Sequence, residues 1–129
     1  MKVNIGTYPN PVVEVQIDKQ DTWSMDYTLA LVILPMLKQL KETKHGSPFT
    51  DDEDVPEELR STSAEPKENK WDTDSNFHKR WEWIMEEMIW AFEQKCEDNW
   101  EPTTDFSAHH KRLTHAYTMF GRYYESLWD

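Results

Sequence analysis

Between Phe77 and Cys96 the apolar residues fall three and four apart: Phe77, Trp81, Ile84, Met85, Met88, Phe92 and Cys96. An α-helix brings such positions onto one face. The same stretch carries a second apolar sector, Trp83 and Trp90 seven apart with Ile89 beside them. A helix with two apolar faces must be covered twice. One face is expected against another helix of the chain. The other is expected under an N-terminal hairpin or against a partner, which makes a homo-oligomer the expected state. Asp74 or Ser75 supplies the N-cap.

Two more segments read as helix. Leu29, Val32, Ile33, Met36, Leu37 and Leu40 recur at helical spacing after a cap at Thr22 or Ser24, with Asp26 in the first turn and Lys38, Lys41 and Lys44 toward the end. Gly46 supplies the stop and Pro35 predicts a mid-helix kink. Leu31 and Leu34 fall off the main stripe, so this helix is apolar nearly all round and is expected at the centre of the fold. The third segment, capped by Asp105 or Ser107, has Leu113, Ala116, Tyr117, Phe120, Tyr124 and Leu127 as its stripe. Gly121 inside it predicts a close neighbour. Residues 1–20 read as extended: Val3 and Ile5 alternate with polar residues, Tyr8-Pro9-Asn10-Pro11 turns the chain, and Val13, Val15 and Ile17 alternate again. The fold class is therefore mainly α: a three-helix core with a central kinked helix and a small N-terminal β element, in a single domain over 1–129. A long acidic loop spans 47–75, partly ordered by a helical turn near Pro56–Arg60 and anchored by Val55 and Leu59.

A net charge of −11 opposes binding to nucleic-acid backbone or to an anionic membrane, both of which attract positive fields. It is compatible with a soluble acidic surface, with docking on a basic protein, and with imitation of DNA. Cys96 is alone, so no internal disulfide forms and a reducing compartment is the natural inference. The N-terminus shows no signal-peptide apolar core, and the run Leu29–Leu37, broken by Pro35, is far below the ~20 residues that span a bilayer. These features predict a cytoplasmic protein.

Catalytic and metal motifs are weak. Asp72-Thr73-Asp74-Ser75-Asn76 opens like an EF-hand loop, but Phe77 and Trp83 stand where Gly and a bidentate Glu are needed. Asp51, Asp52, Glu53 and Asp54 could hold a divalent ion if another segment closed the shell; a solvated acidic loop is the simpler reading. His109, His110 and His115 lack zinc-ligand spacing. An all-helical nucleotide pyrophosphohydrolase would need a Glu-Glu-x-x-Glu pattern, and Glu86-Glu87 is followed by Met88, Ile89 and Trp90. Neither a phosphate loop nor a nucleophile elbow is present. The expected chain is thus non-enzymatic and needs no cofactor.

Asp21-Thr22-Trp23-Ser24-Met25-Asp26, Leu34-Pro35-Met36-Leu37-Lys38-Gln39-Leu40-Lys41-Glu42-Thr43-Lys44-His45-Gly46, Asp51-Asp52-Glu53-Asp54-Val55-Pro56 and the terminal Phe120-Gly121-Arg122-Tyr123-Tyr124-Glu125-Ser126-Leu127-Trp128-Asp129 resemble a family of small uncharacterised tailed-bacteriophage proteins. The resemblance runs from about residue 15 to the end. It implies a phage origin and the cytoplasm of an infected host, with no mechanism attached. Family members often carry more residues between the second and third helices, where Gln94 to Ala108 is compact here.

Of the seven tryptophans, Trp23, Trp71, Trp100 and Trp128 stand in polar, loop-like surroundings. Indole rings outside a core suit the stacking of a planar ligand. Trp23, His45, Trp71 and Trp83 could stack a purine-like ring, with Lys44, Lys79, Arg80, His109 and Arg112 meeting phosphates or a ribose rim. The plainer reading is that these aromatics fill cores and the basic residues solubilise helix ends. The leading expectation is a phage anti-defence protein that sequesters a nucleotide-derived immune signal. An acidic inhibitor or DNA mimic docking on a basic host or phage protein is the alternative, followed by a structural or assembly accessory.

Overall fold

A computed structural model of the chain describes residues 1–97 and 105–129. The chain is mainly α with a small N-terminal β element. Strands β1 (Lys2–Thr7) and β2 (Asn10–Gln16) form an antiparallel hairpin in which Val3 faces Val15 and Asn4 faces Glu14. The turn holds a cis Tyr8–Pro9 peptide. Gly6 lies at φ +78°, and a Cβ there would come 3.0 Å from the Val12 nitrogen, so this bulged position requires glycine.

Among the described residues four α-helices follow: α1 (Lys19–Trp23), α2 (Met25–Thr43), α3 (Phe77–Glu97) and α4 (Phe106–Arg122). Asp21 fastens the start of α1 by accepting the Asp18 N–H at 2.7 Å, and it also pairs with the N-terminal amine at 3.0 Å. Ser24 stands at the head of α2, Pro35 is accommodated inside it, and the helix stops before Lys44. Asp105 caps α4, its Oδ1 accepting the Ser107 N–H at 3.0 Å.

The central helix is α3, not the Pro35 helix. It packs on α2 along one side and α4 along another. Phe77, Trp81, Ile84, Met85, Met88 and Phe92 of the expected stripe are buried. Ile84, Met85 and Met88 are fully enclosed, each contributing about 1.5–3 kcal/mol by burial. By contrast α2 buries only Ala30 and Leu37 and turns Leu29, Leu31, Val32 and Met36 outward. An apolar circumference needs neighbours all round, and α2 meets α3 on one side only. The second sector of α3 is covered by α4: Trp83 lies against His115, and Trp90 against His109 and Arg112. Ile89 and Trp90, in the same sector, also border a cleft with Lys38 and Lys41 of α2.

On α4 the buried line is Ala116, Met119 and Tyr123. Tyr117 and Tyr124, expected in the stripe, are exposed, while Leu113, Phe120 and Leu127 are half-buried. Nothing lies within 4 Å of a Cβ built at Gly121, so no close neighbour explains that glycine. Ion pairs join the helices along their length: Lys38 to Glu93 at 3.3 Å, Lys41 to Glu82 at 3.0 Å and Lys95 to Asp26 at 2.6 Å. Among the described residues, no helix is long and apolar enough to cross a membrane.

Candidate functional site

The acidic segment 47–75 is built into the body of the protein. Three single 3-10 turns, Asp52–Asp54, Glu57–Leu59 and Ser61–Ser63, shape it. Val55 enters the core and Leu59 packs on it, as expected. The departure from expectation is Asp54, which is buried rather than solvated. Its Oδ1 accepts from Arg122 Nη1 at 2.7 Å and its Oδ2 from the Tyr123 hydroxyl at 2.6 Å. Its carbonyl oxygen lies 2.9 Å from His115 Nε2. The Tyr123 oxygen in turn accepts the Asp51 N–H at 2.9 Å. Burial, followed by the bond to Asp54, pushes the Tyr123 hydroxyl up to about 12.

A second buried centre holds the other end. Arg80 is 4% exposed and grips Asp74 with two bonds of 2.8 Å. It also donates to the Leu59 carbonyl and the Thr50 hydroxyl, each at 3.2 Å. Asn76 donates to the carbonyls of Glu58 and Arg60. The Arg80 bond holds the Asp74 carboxyl below its ordinary value, and bonds from Ser61 do the same for Asp52. No buried side-chain polar atom among the described residues is left unsatisfied. A fully satisfied network of this kind rigidifies the conformation it holds.

Inward-facing Asp52, Asp54 and Asp74 therefore act as fasteners. Asp51, Glu53, Glu57, Glu58, Glu65, Glu68 and Asp72 stay exposed on the segment they secure. Ten acidic residues against Arg60, Lys67 and Lys70 give 47–75 a net charge of −7, most of the chain's −11.

The nine residues expected to grip a nucleotide are not brought together. Lys44, His45 and Lys79 line one open cleft of about 310 Å³, with Ser47, His78 and Glu82. There Lys44 Nζ pairs with Glu82 at 2.7 Å, and His45 bonds the Asp129 carboxylate through both backbone and ring, holding that carboxyl below its ordinary value. Trp23 and Trp71 are exposed but line neither this cleft nor the larger groove. Arg80 is interior, where a ligand would have to displace Asp74. Trp83 is half-buried against α4. Arg112 is engaged by Glu87 at 2.7 Å and lies 3.7 Å over the Trp90 ring. His109 sits edge-on to Trp90 and borders a groove of about 610 Å³ lined by Leu29, Ile33, Phe92, Leu113, Tyr117 and Phe120. Trp128 is exposed, and Trp100 lies outside the described residues.

The glutamates of α3 weighed as magnesium ligands are engaged in ion pairs. Glu82, Glu86, Glu87 and Glu93 are each paired with a Lys or Arg. Among the described residues, no group of three His, Cys, Asp or Glu side chains is arranged to hold an ion. Sequence reasoning missed Asp54, Asn76, Arg122 and Tyr123. For Arg80 a signal existed, because it lies three residues after Phe77 and four before Ile84, on the buried stripe itself. Comparison with known proteins gave no match: no family model fits the chain, and neither a curated protein nor a solved structure is significantly similar to it.

Proposed function

We propose that this chain is a non-enzymatic acidic binding protein that docks on a basic surface of a partner protein. One observation carries the reading: the exposed carboxylates Asp51, Glu53, Glu57 and Glu58 stand on a stretch locked to the core through Asp54, Val55 and Asn76, with Glu65, Glu68 and Asp72 exposed farther along the same segment. Solubility alone does not require acids to be held in fixed positions. A preorganised acidic face loses little conformational entropy on binding and accelerates encounter with a positive partner. With the phage resemblance, the partner is a basic host or phage protein in the infected cytoplasm, including one whose basic surface otherwise takes DNA.

The test is capture of partners by the wild-type chain and by a Glu53→Lys/Glu57→Lys/Glu58→Lys variant, at low and high salt. These three side chains are exposed, so the variant keeps its helical circular dichroism. The reading expects a basic protein that the wild type retains at low salt, and that both the variant and high salt release. A partner held equally by the variant overturns it.

A second reading, sequestration of a nucleotide-derived signal, is supported by the cleft that gathers Lys44, His45, His78 and Lys79. It expects thermal stabilisation by a cyclic or ADP-ribose-type nucleotide, lost in Lys79→Glu. No stabilisation by any of them removes it.

A further inference from the structure

The exposed apolar surface is gathered at one end of the sequence. Of 21 large hydrophobic residues exposed among the described ones, 15 lie between Met1 and Met36. They include every apolar residue of the hairpin and the outward side of α2. The hairpin is apolar mainly on one side. Val3 and Val15 stand opposite each other, with Ile5 and Val13 two residues along at the bulge, while Lys2, Asn4, Glu14 and Gln16 lie toward the other side with Val12. Alternation of this kind marks a sheet face built to be covered. Among the described residues nothing buries it, and all thirteen strand residues are exposed.

We infer that a second copy of this chain covers this face, giving a two-fold dimer through the apolar side of the hairpin and the outer residues of α2. Three arguments point to a second copy rather than to the basic partner. A two-stranded hairpin is marginal alone, whereas two stacked hairpins bury the valine faces of both. The region is almost neutral, with Lys2, Lys19 and Lys38 against Glu14, Asp18, Asp21 and Asp26, so two copies meet where self-repulsion is least. A basic protein is drawn instead to 47–75. The area also suffices: the four hairpin residues with the exposed apolar residues of α2 present on the order of 900 Å², against the ~800 Å² per partner that a stable interface buries.

The test is the solution mass of the purified chain by light scattering and sedimentation, from about 1 to 100 μM. The expected result is twice the chain's 15.5 kDa. Val13→Asp and Leu31→Asp, both at exposed positions, should each raise the dissociation constant at least tenfold while the helical circular dichroism stays unchanged. Glu58→Lys should leave the dimer intact. A wild-type monomer throughout that range overturns the inference, and so does a dimer that either Asp substitution leaves intact. The outcome is independent of the capture experiment, which reads the acidic segment.

Discussion

Replacing Arg80 by methionine separates a structural arginine from a ligand-binding one. The side chain is 4% exposed and makes four bonds: two of 2.8 Å to Asp74 and one of 3.2 Å each to Leu59 and Thr50. Methionine fills much of the volume and supplies none of the donors. Asp74, whose side chain is only 13% exposed, is left as a buried anion without its counter-charge. Breaking one partner of such a pair costs about 3–5 kcal/mol. For a chain of 129 residues that corresponds to a drop in Tm of roughly 10–20 °C. The assay is chemical and thermal denaturation of the wild type, Arg80→Met, Asp74→Asn and the double variant. The double variant should recover part of the loss, because the stranded charge is gone, giving a coupling energy of about 1.5–3 kcal/mol. A cost below about 1 kcal/mol for Arg80→Met, with no coupling to Asp74, would refute the reasoning and return Arg80 to the pool of ligand-binding residues.

Tyr123 controls the alkaline side: its folded value of about 12 lies above the ordinary ~10, so stability is full below pH 10 and declines as pH rises toward 12, by up to about 3 kcal/mol. Tyr123→Phe should lose stability at neutral pH, because Asp54 loses a 2.6 Å bond, and should flatten the decline between pH 10 and 12 in urea titrations. On the acidic side, Asp52 and Asp74 are held below the ordinary carboxylate value, so their contribution is full above about pH 5 and is lost as pH falls through those lowered values. Asp74→Asn should shrink the fall in stability measured between neutral pH and pH 3. Gly121→Ala should raise stability by about 0.5–1 kcal/mol, since a helical glycine is replaced where a Cβ meets nothing within 4 Å.

The α3 stripe was legible because a buried helix face writes its period directly into the sequence. Phe77, Trp81, Ile84 and Met88 needed no tertiary information. The hairpin was legible from alternation alone. On α4 the pattern found Ala116 and missed the other two buried positions: Met119 and Tyr123 are buried, whereas Tyr117 and Tyr124 of the expected stripe are exposed. Tyr123 turns inward because its hydroxyl meets Asp54, 69 positions away, and no local pattern encodes that bond. The same distance hid the burial of Asp54, which reads as one more acid in Asp51-Asp52-Glu53-Asp54. The candidate ligand residues were chosen by type, and type does not say which cations are already paired. Lys44, Arg80 and Arg112 all are. Only where a cation sits on a buried stripe, as Arg80 does, does spacing give warning.

Amide hydrogen exchange across residues 51–64 asks most directly whether the acidic face is held in place. The N–H groups of Asp51, Asp54, Leu59 and Ser61 donate to the Tyr123 hydroxyl, the Asp51 carbonyl, the Pro56 carbonyl and the Asp52 carboxylate. The account predicts that they exchange at least ~100-fold slower than in an unstructured chain, and that Tyr123→Phe weakens the protection at Asp51 first. Exchange at these four amides within a few-fold of the unstructured rate would contradict it.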